Sequence, residues 1–130
     1  MKATGTFEVK VGPFKADDNI DVGGVARFSL DKQFSGDISG TSKGQMLASG
    51  SPASGAAAYV ALETVTATLN GRTGSFVLMH NGTMNKAGQE MRITVVPESG
   101  TGELTGIAGT FLILLEGKKH LYEFEYTIGG

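Results

Sequence analysis

The chain contains no cysteine in its 130 residues. Disulfides, thiolate metal sites and thiol nucleophiles are therefore all excluded. Proline is scarce, at 3 residues. No apolar run approaches the roughly 18 residues of a membrane-spanning helix. The opening Met1-Lys2-Ala3-Thr4-Gly5-Thr6 lacks the apolar stretch of a signal peptide, so the expected compartment is the cytoplasm and no membrane partner is expected. Neither sign of charge is in large excess: 11 basic residues face 13 acidic ones, for a net charge of -2. No cationic field for nucleic acid can be built from that balance. With 40% apolar and 18% charged residues, the chain also lies outside the disordered class.

Glycine, by contrast, is abundant, at 20 residues. A 13.5 kDa chain is one domain, here residues 1–130, and a chain of this length hides roughly two-thirds of its unfolded surface. Periodicity is two almost everywhere. Phe7, Val9 and Val11 alternate with Thr6, Glu8 and Lys10, and Ala26, Phe28 and Leu30 with Arg27, Ser29 and Asp31. The polar stretch Lys15–Gly24 reads as a loop, and Gly36-Asp37 as a turn.

Ile38–Leu47 is expected as a weak, polar strand. The low-complexity segment 48–58, made mostly of Ala, Gly and Ser, is expected as a mobile loop, because small residues bury little. Tyr59–Leu69 and Gly74–Met84 are strand-like runs around Asn70-Gly71, the strongest short hairpin signal. Met91–Val96, Phe111–Leu115 and His120–Thr127 complete the set, while Ser99–Gly109 holds too many glycines for a helix. Evenly spaced short strands without a helix predict an all-β fold. Glycines scattered within strands favour a closed antiparallel β-barrel of about eight strands over a sandwich.

Three segments carry a resemblance. They are Phe34-Ser35-Gly36-Asp37-Ile38; Tyr59-Val60-Ala61-Leu62-Glu63 through Leu69-Asn70-Gly71-Arg72 to His80-Asn81-Gly82-Thr83; and Val95-Val96-Pro97-Glu98-Ser99-Gly100-Thr101-Gly102-Glu103-Leu104 with Gly106 and Gly109. Together they resemble a bacterial domain family of unknown function in the allene oxide cyclase barrel superfamily, which also includes the dirigent proteins. The resemblance covers nearly the whole chain. It implies an eight-stranded barrel around an apolar cavity, a hydrophobic small-molecule ligand and a homo-oligomeric habit. The cyclases use a first-strand glutamate, for which Glu8 is a positional match, and a cysteine that has no counterpart here.

The candidate chemistry lies on the strands. His80 shares a face with Phe76 and Leu78, where it either orients a ligand and moves a proton or is a core histidine satisfied by a neighbour. Glu63 alternates with Tyr59, Ala61 and Val65. On an apolar face it must be paired, for example with Arg72, Arg92 or another basic group at the rim, or else its pKa rises, as in a general acid or base. Glu8, the third catalytic candidate, belongs to a polar set that fits the solvated face. Tyr59, Phe76, Leu78 and Tyr122 are the expected ligand-binding residues, with aromatic core as the alternative for the tyrosines.

His120 follows Lys118-Lys119 and is expected exposed. No metal or cofactor site is expected, because the two histidines lie on different strands with no evident carboxylate partner. Two functions are compatible with this pattern: a hydrophobic small-molecule-binding barrel, or an isomerase or cyclase-like enzyme using Glu63, His80 and Glu8. A designed catalyst on such a barrel is a third. A homo-oligomer is expected through Leu112 and Leu114, provided that Val77 and Met79 lie beside them.

Overall fold

The alternation of apolar and polar residues closes a single sheet on itself. The computed structural model describes residues 1–13, 23–51 and 55–129. Its strands are β1 (Lys2–Pro13), β2 (Ala26–Gly36), β3 (Ile38–Ser51), β4 (Ala56–Leu69), β5 (Arg72–Asn85), β6 (Gly88–Val95), β7 (Ile107–Glu116) and β8 (Lys119–Ile128). Each pairs antiparallel with the next in sequence, and β8 returns to β1, so the barrel is closed in chain order. Closure removes the unpaired edges that an open sheet would expose. Among the described residues the only helical element is a 3-10 turn, Gly102–Leu104, and no helix is long and apolar enough to cross a membrane.

Turn chemistry fixes the registers. Asn70 and Gly71 both take positive φ, 47° and 86°, and pin Leu69 opposite Arg72. Asp37 ties the β2–β3 turn to the first strand: its backbone N–H donates to the Thr4 carbonyl at 3.0 Å, and its carboxylate accepts from the Thr4 N–H at 2.9 Å.

One end of the barrel is packed solid. Ala3, Ile38, Leu69, Leu104 and Phe124 are completely buried there. Phe76 stacks on Phe124 at 5.6 Å and Phe111 on Tyr122 at 5.5 Å, so aromatic rings fill the lumen from wall to wall. The Tyr122 hydroxyl accepts from the Ile38 backbone N–H at 2.8 Å and donates to the Ser35 carbonyl at 3.0 Å, which staples β8 to the β2–β3 turn.

Three expectations are corrected. Residues 48–51 and 56–58 belong to β3 and β4, with Ala48 opposite Tyr59 and Gly50 opposite Ala57. In a closed barrel the ladder hydrogen bonds hold such small residues extended, although they bury little. Residues 52–54 of that segment lie outside the described residues, as does most of the Lys15–Gly24 loop. His120 is half-buried on β8, with its ring 5.1 Å from that of Phe7.

The third correction concerns the outer face. Leu112 and Leu114 are exposed, but β6 separates them from Val77 and Met79 and presents Arg92 and Thr94 between them. The apolar outer residues cluster instead across β3–β5, where Leu47 faces Val60 and Leu62 faces Met79.

Candidate functional site

Four strands send polar side chains into the middle of the lumen. Glu63 is on the inward row of β4 with Tyr59, Ala61 and Val65, and it is 1% exposed. His80, 3% exposed, faces inward from β5 between Leu78 and Gly82. The register sets Ala61 opposite His80 and Leu78 opposite Glu63, so carboxylate and imidazole are diagonal neighbours across one ladder. Lys32, 5% exposed, occupies the inward row of β2 between Leu30 and Phe34. The intervening strand β3 places Ser42 opposite Lys32 and Gly44 opposite Glu63, and these small residues leave room for the lysine to reach across.

The carboxylate is fully used. Its Oε1 accepts from Lys32 Nζ at 3.1 Å and lies 3.1 Å from His80 Nε2. Its Oε2 lies 3.1 Å from Lys32 Nζ and accepts from Ser42 Oγ at 3.1 Å. The Lys32 ammonium also sits 5.0 Å from the centre of the Phe7 ring, a cation–π contact on its other side. Burial pushes the Glu63 pKa up. The hydrogen bond from His80 and the charge of Lys32 oppose it and win, so the net shift is downward and Glu63 is ionised at neutral pH. Its cation comes from inside the lumen, two strands away, and not from Arg72 or Arg92, both of which are exposed.

With Glu63 ionised, His80 Nε2 carries the proton that bonds it. The other ring nitrogen, Nδ1, has no hydrogen-bond partner among the described residues. Tyr59 lies one inward row nearer the open end, with its ring 6.3 Å from that of His80. Gly82 faces Tyr59 across the ladder, and a Cβ there would collide with the tyrosine ring. Burial, and secondarily the Glu63 charge, raise the Tyr59 pKa and keep its hydroxyl protonated. Beyond Tyr59 an apolar concavity of about 220 Å³ opens at the β3–β6 end, lined by Met46, Ala48, Ala57, Gly82, Met84 and Met91. A wider groove of about 650 Å³ lies on the outer face along Leu47, Val60, Leu62 and Met79. It is walled mainly by outward side chains, but Ala61 and His80 of the inward rows also line it.

The structure thus brings Glu63, His80 and Tyr59 together. Glu8 is exposed on the outer face of β1, opposite Gln33, and takes no part in the cluster. Phe76, Leu78 and Tyr122 are 0%, 0% and 1% exposed within the packed end, where they form the floor of the lumen. Lys32 and Ser42 are the members that sequence reasoning missed. Lys32 had a signal: continuing the β2 alternation past Leu30 places it inward, between two apolar residues. Ser42 had none, because its strand is polar throughout.

Fold and site together define a small closed β-barrel with an ionised cluster enclosed between an aromatic floor and an apolar mouth. The chain belongs to the DUF3224 family, described as a protein of unknown function, whose family model matches residues 3–126. It is similar to a solved structure of a DUF3224-family protein with unknown function from Shewanella oneidensis MR-1. The two share 44% sequence identity over 100% of this chain and 98% of that chain, with a TM-score of 0.89. No curated protein matches.

Proposed function

We propose that the barrel binds a small hydrophobic molecule in its β3–β6 mouth, above the Glu63 cluster. One observation carries this reading: the lumen changes from solid aromatic packing at one end to a methionine-lined concavity at the other, with the polar Glu63 cluster between. Apolar walls with a few converging polar groups are the usual make-up of a small-molecule site. Methionines adapt their shape to what they contact. The closed eight-stranded order also supports the likeness to allene oxide cyclase barrels, in which a hydrophobic ligand occupies the lumen. A neutral fluorescent probe such as 1-aminoanthracene tests the reading. It should bind the wild-type protein with saturation, and Met46→Trp, which fills the mouth, should abolish binding without lowering the melting temperature. Equal binding by both proteins contradicts it.

The contact of 3.1 Å between His80 Nε2 and Glu63 Oε1 supports a second reading, an isomerase-type enzyme. A carboxylate that holds one imidazole nitrogen orients the other as a base. His80 Nδ1 then takes a proton from one carbon of a bound carbonyl compound and returns it to another, while Glu63 stays ionised. Deuterium incorporation from D2O into a small apolar ketone, lost in His80→Gln, tests this reading. No incorporation above the buffer rate contradicts it.

A further inference from the structure

The two ends of the barrel differ in what they show to solvent. At the packed end Met1 is the one exposed large apolar residue among those described. At the open end the apolar rows run past the packed lumen into water: Val11 lies on the inward row of β1, Met84 on that of β5 and Met91 on that of β6, and all three are exposed. The end of β7 goes further. Leu115 continues the inward row of Phe111 and Ile113 and is 69% exposed, while Leu112 and Leu114 are exposed on the opposite face. Leu114 meets another leucine, half-buried Leu121, across the β7–β8 ladder. This hairpin tip is therefore apolar on both faces, although a closed barrel has only one interior to fill. Exposed apolar residues gathered in one place mark a contact surface.

Basic side chains accompany the leucines. Lys118 and Lys119 close the β7–β8 hairpin and Lys86 stands at the β5–β6 turn, all three exposed. The carboxylates of these two hairpins are Glu116, which faces Lys119 across the ladder, and Glu90. Leucines at a strand end, beside lysines whose stems lie along apolar surface and whose ammonium groups stay in a polar layer, fit the boundary of a bilayer with anionic headgroups. A second copy fits less well, because tip against tip sets Lys118 and Lys119 near their own counterparts. We infer that the open end of the barrel docks on an anionic membrane surface through the β7–β8 tip, with Leu114 and Leu115 entering the acyl boundary and the lysines meeting lipid phosphates. The expectation of no membrane partner rested on the lack of a spanning run, and a peripheral contact needs none. Docking also holds the methionine-lined concavity against lipid, where an apolar molecule enters without crossing water. The inference stands independently of that molecule.

Flotation of the full chain with vesicles of phosphatidylcholine, alone or with about 30% phosphatidylglycerol, tests the inference. At low ionic strength the protein should float roughly tenfold more with the anionic vesicles than with the neutral ones, and about 0.5 M NaCl should release most of it. Leu114→Ser with Leu115→Ser should lose that binding while keeping the urea midpoint, since both side chains are already exposed. A measurement on the wild type needs no substitution: a nitroxide lipid in anionic bicelles should broaden the methyl resonances of Met84 and Met91 and leave Met1, at the opposite end, sharp. Equal flotation with both vesicles, or none with either, overturns the inference. So does full binding by the double serine variant, which would mean adsorption by charge alone, and so does broadening at Met1 with Met84 and Met91 sharp. A wild-type dimer in sedimentation that the same serines dissociate also overturns it, because a second copy then covers the tip. Binding of 1-aminoanthracene without vesicles tests the small-molecule reading separately from all of these.

Discussion

The Lys32 ammonium stands 3.1 Å from each carboxylate oxygen of Glu63 inside the lumen, with neither side chain exposed to more than a trace of solvent. A pair placed so deep is weak evidence of net stabilisation, because taking both charges out of water costs about what their attraction returns. Breaking it is another matter. Lys32→Met leaves a buried carboxylate without its ammonium partner, and unfolding free energy should fall by about 3–5 kcal/mol. Adding Glu63→Gln removes the stranded charge and should recover most of that loss. Urea denaturation of the two variants measures both values. A Lys32→Met protein as stable as the wild type contradicts the pairing.

Acid should expose the same group. The folded-state pKa of Glu63 lies below its ordinary value of 4.5, so the unfolded chain takes up this proton first as pH falls. The stability contributed by ionised Glu63 is fully present above that unfolded value and is lost as pH drops towards and through the folded one. The urea midpoint of the wild type should therefore fall more steeply below about pH 4.5 than that of Glu63→Gln, whose amide does not titrate. Parallel pH profiles for the two proteins would show that Glu63 is not held ionised.

Gly82 leaves space for the Tyr59 ring, whose centre is 6.3 Å from that of His80 on the side of the mouth. In Gly82→Ala the new methyl group meets that ring, which must swing towards the open mouth. The variant should stay folded, and His80 should react faster with diethyl pyrocarbonate, by several-fold. Peptide mapping separates this from modification of His120. An unchanged rate at His80 would mean that Tyr59 does not shield it.

Tyr122 was expected to contact a ligand, and the structure gives it a scaffolding task. Tyr122→Phe deprives the buried Ile38 N–H of its acceptor, and the loss should cost about 1–3 kcal/mol in unfolding free energy. Probe binding at the mouth should be unaffected, since Tyr122 lies in the packed end. Weakened binding with unchanged stability would reverse this assignment.

Most of the barrel was legible because alternation, the Asn70-Gly71 turn and the regular strand spacing all act locally. The inward faces of β4 and β5 were legible for the same reason, and with them Glu63 and His80. Their partner was not. Lys32 lies two strands away in the sheet, and only closure with the β2–β4 register makes it meet Glu63. Local pattern also failed at 48–51 and 56–58. Small residues carry no apolar signal, and the ladder between β3 and β4 holds them extended regardless. The direction of the Glu63 shift turned on its contacts in the lumen: on an apolar wall alone its pKa rises, and beside His80 and Lys32 it falls.

The placement of a ligand can be read from the methionines, of which the chain has five. Met46, Met84 and Met91 line the mouth, Met79 lies in the outer groove, and Met1 donates its amino group to the Tyr126 carbonyl at the packed end. Carbon-13 NMR of the methionine methyl groups during titration with 1-aminoanthracene therefore reports the site without any substitution. The account predicts saturable shifts at Met46, Met84 and Met91, with Met1 and Met79 unmoved. Shifts confined to Met79, or none at any methionine, would contradict it.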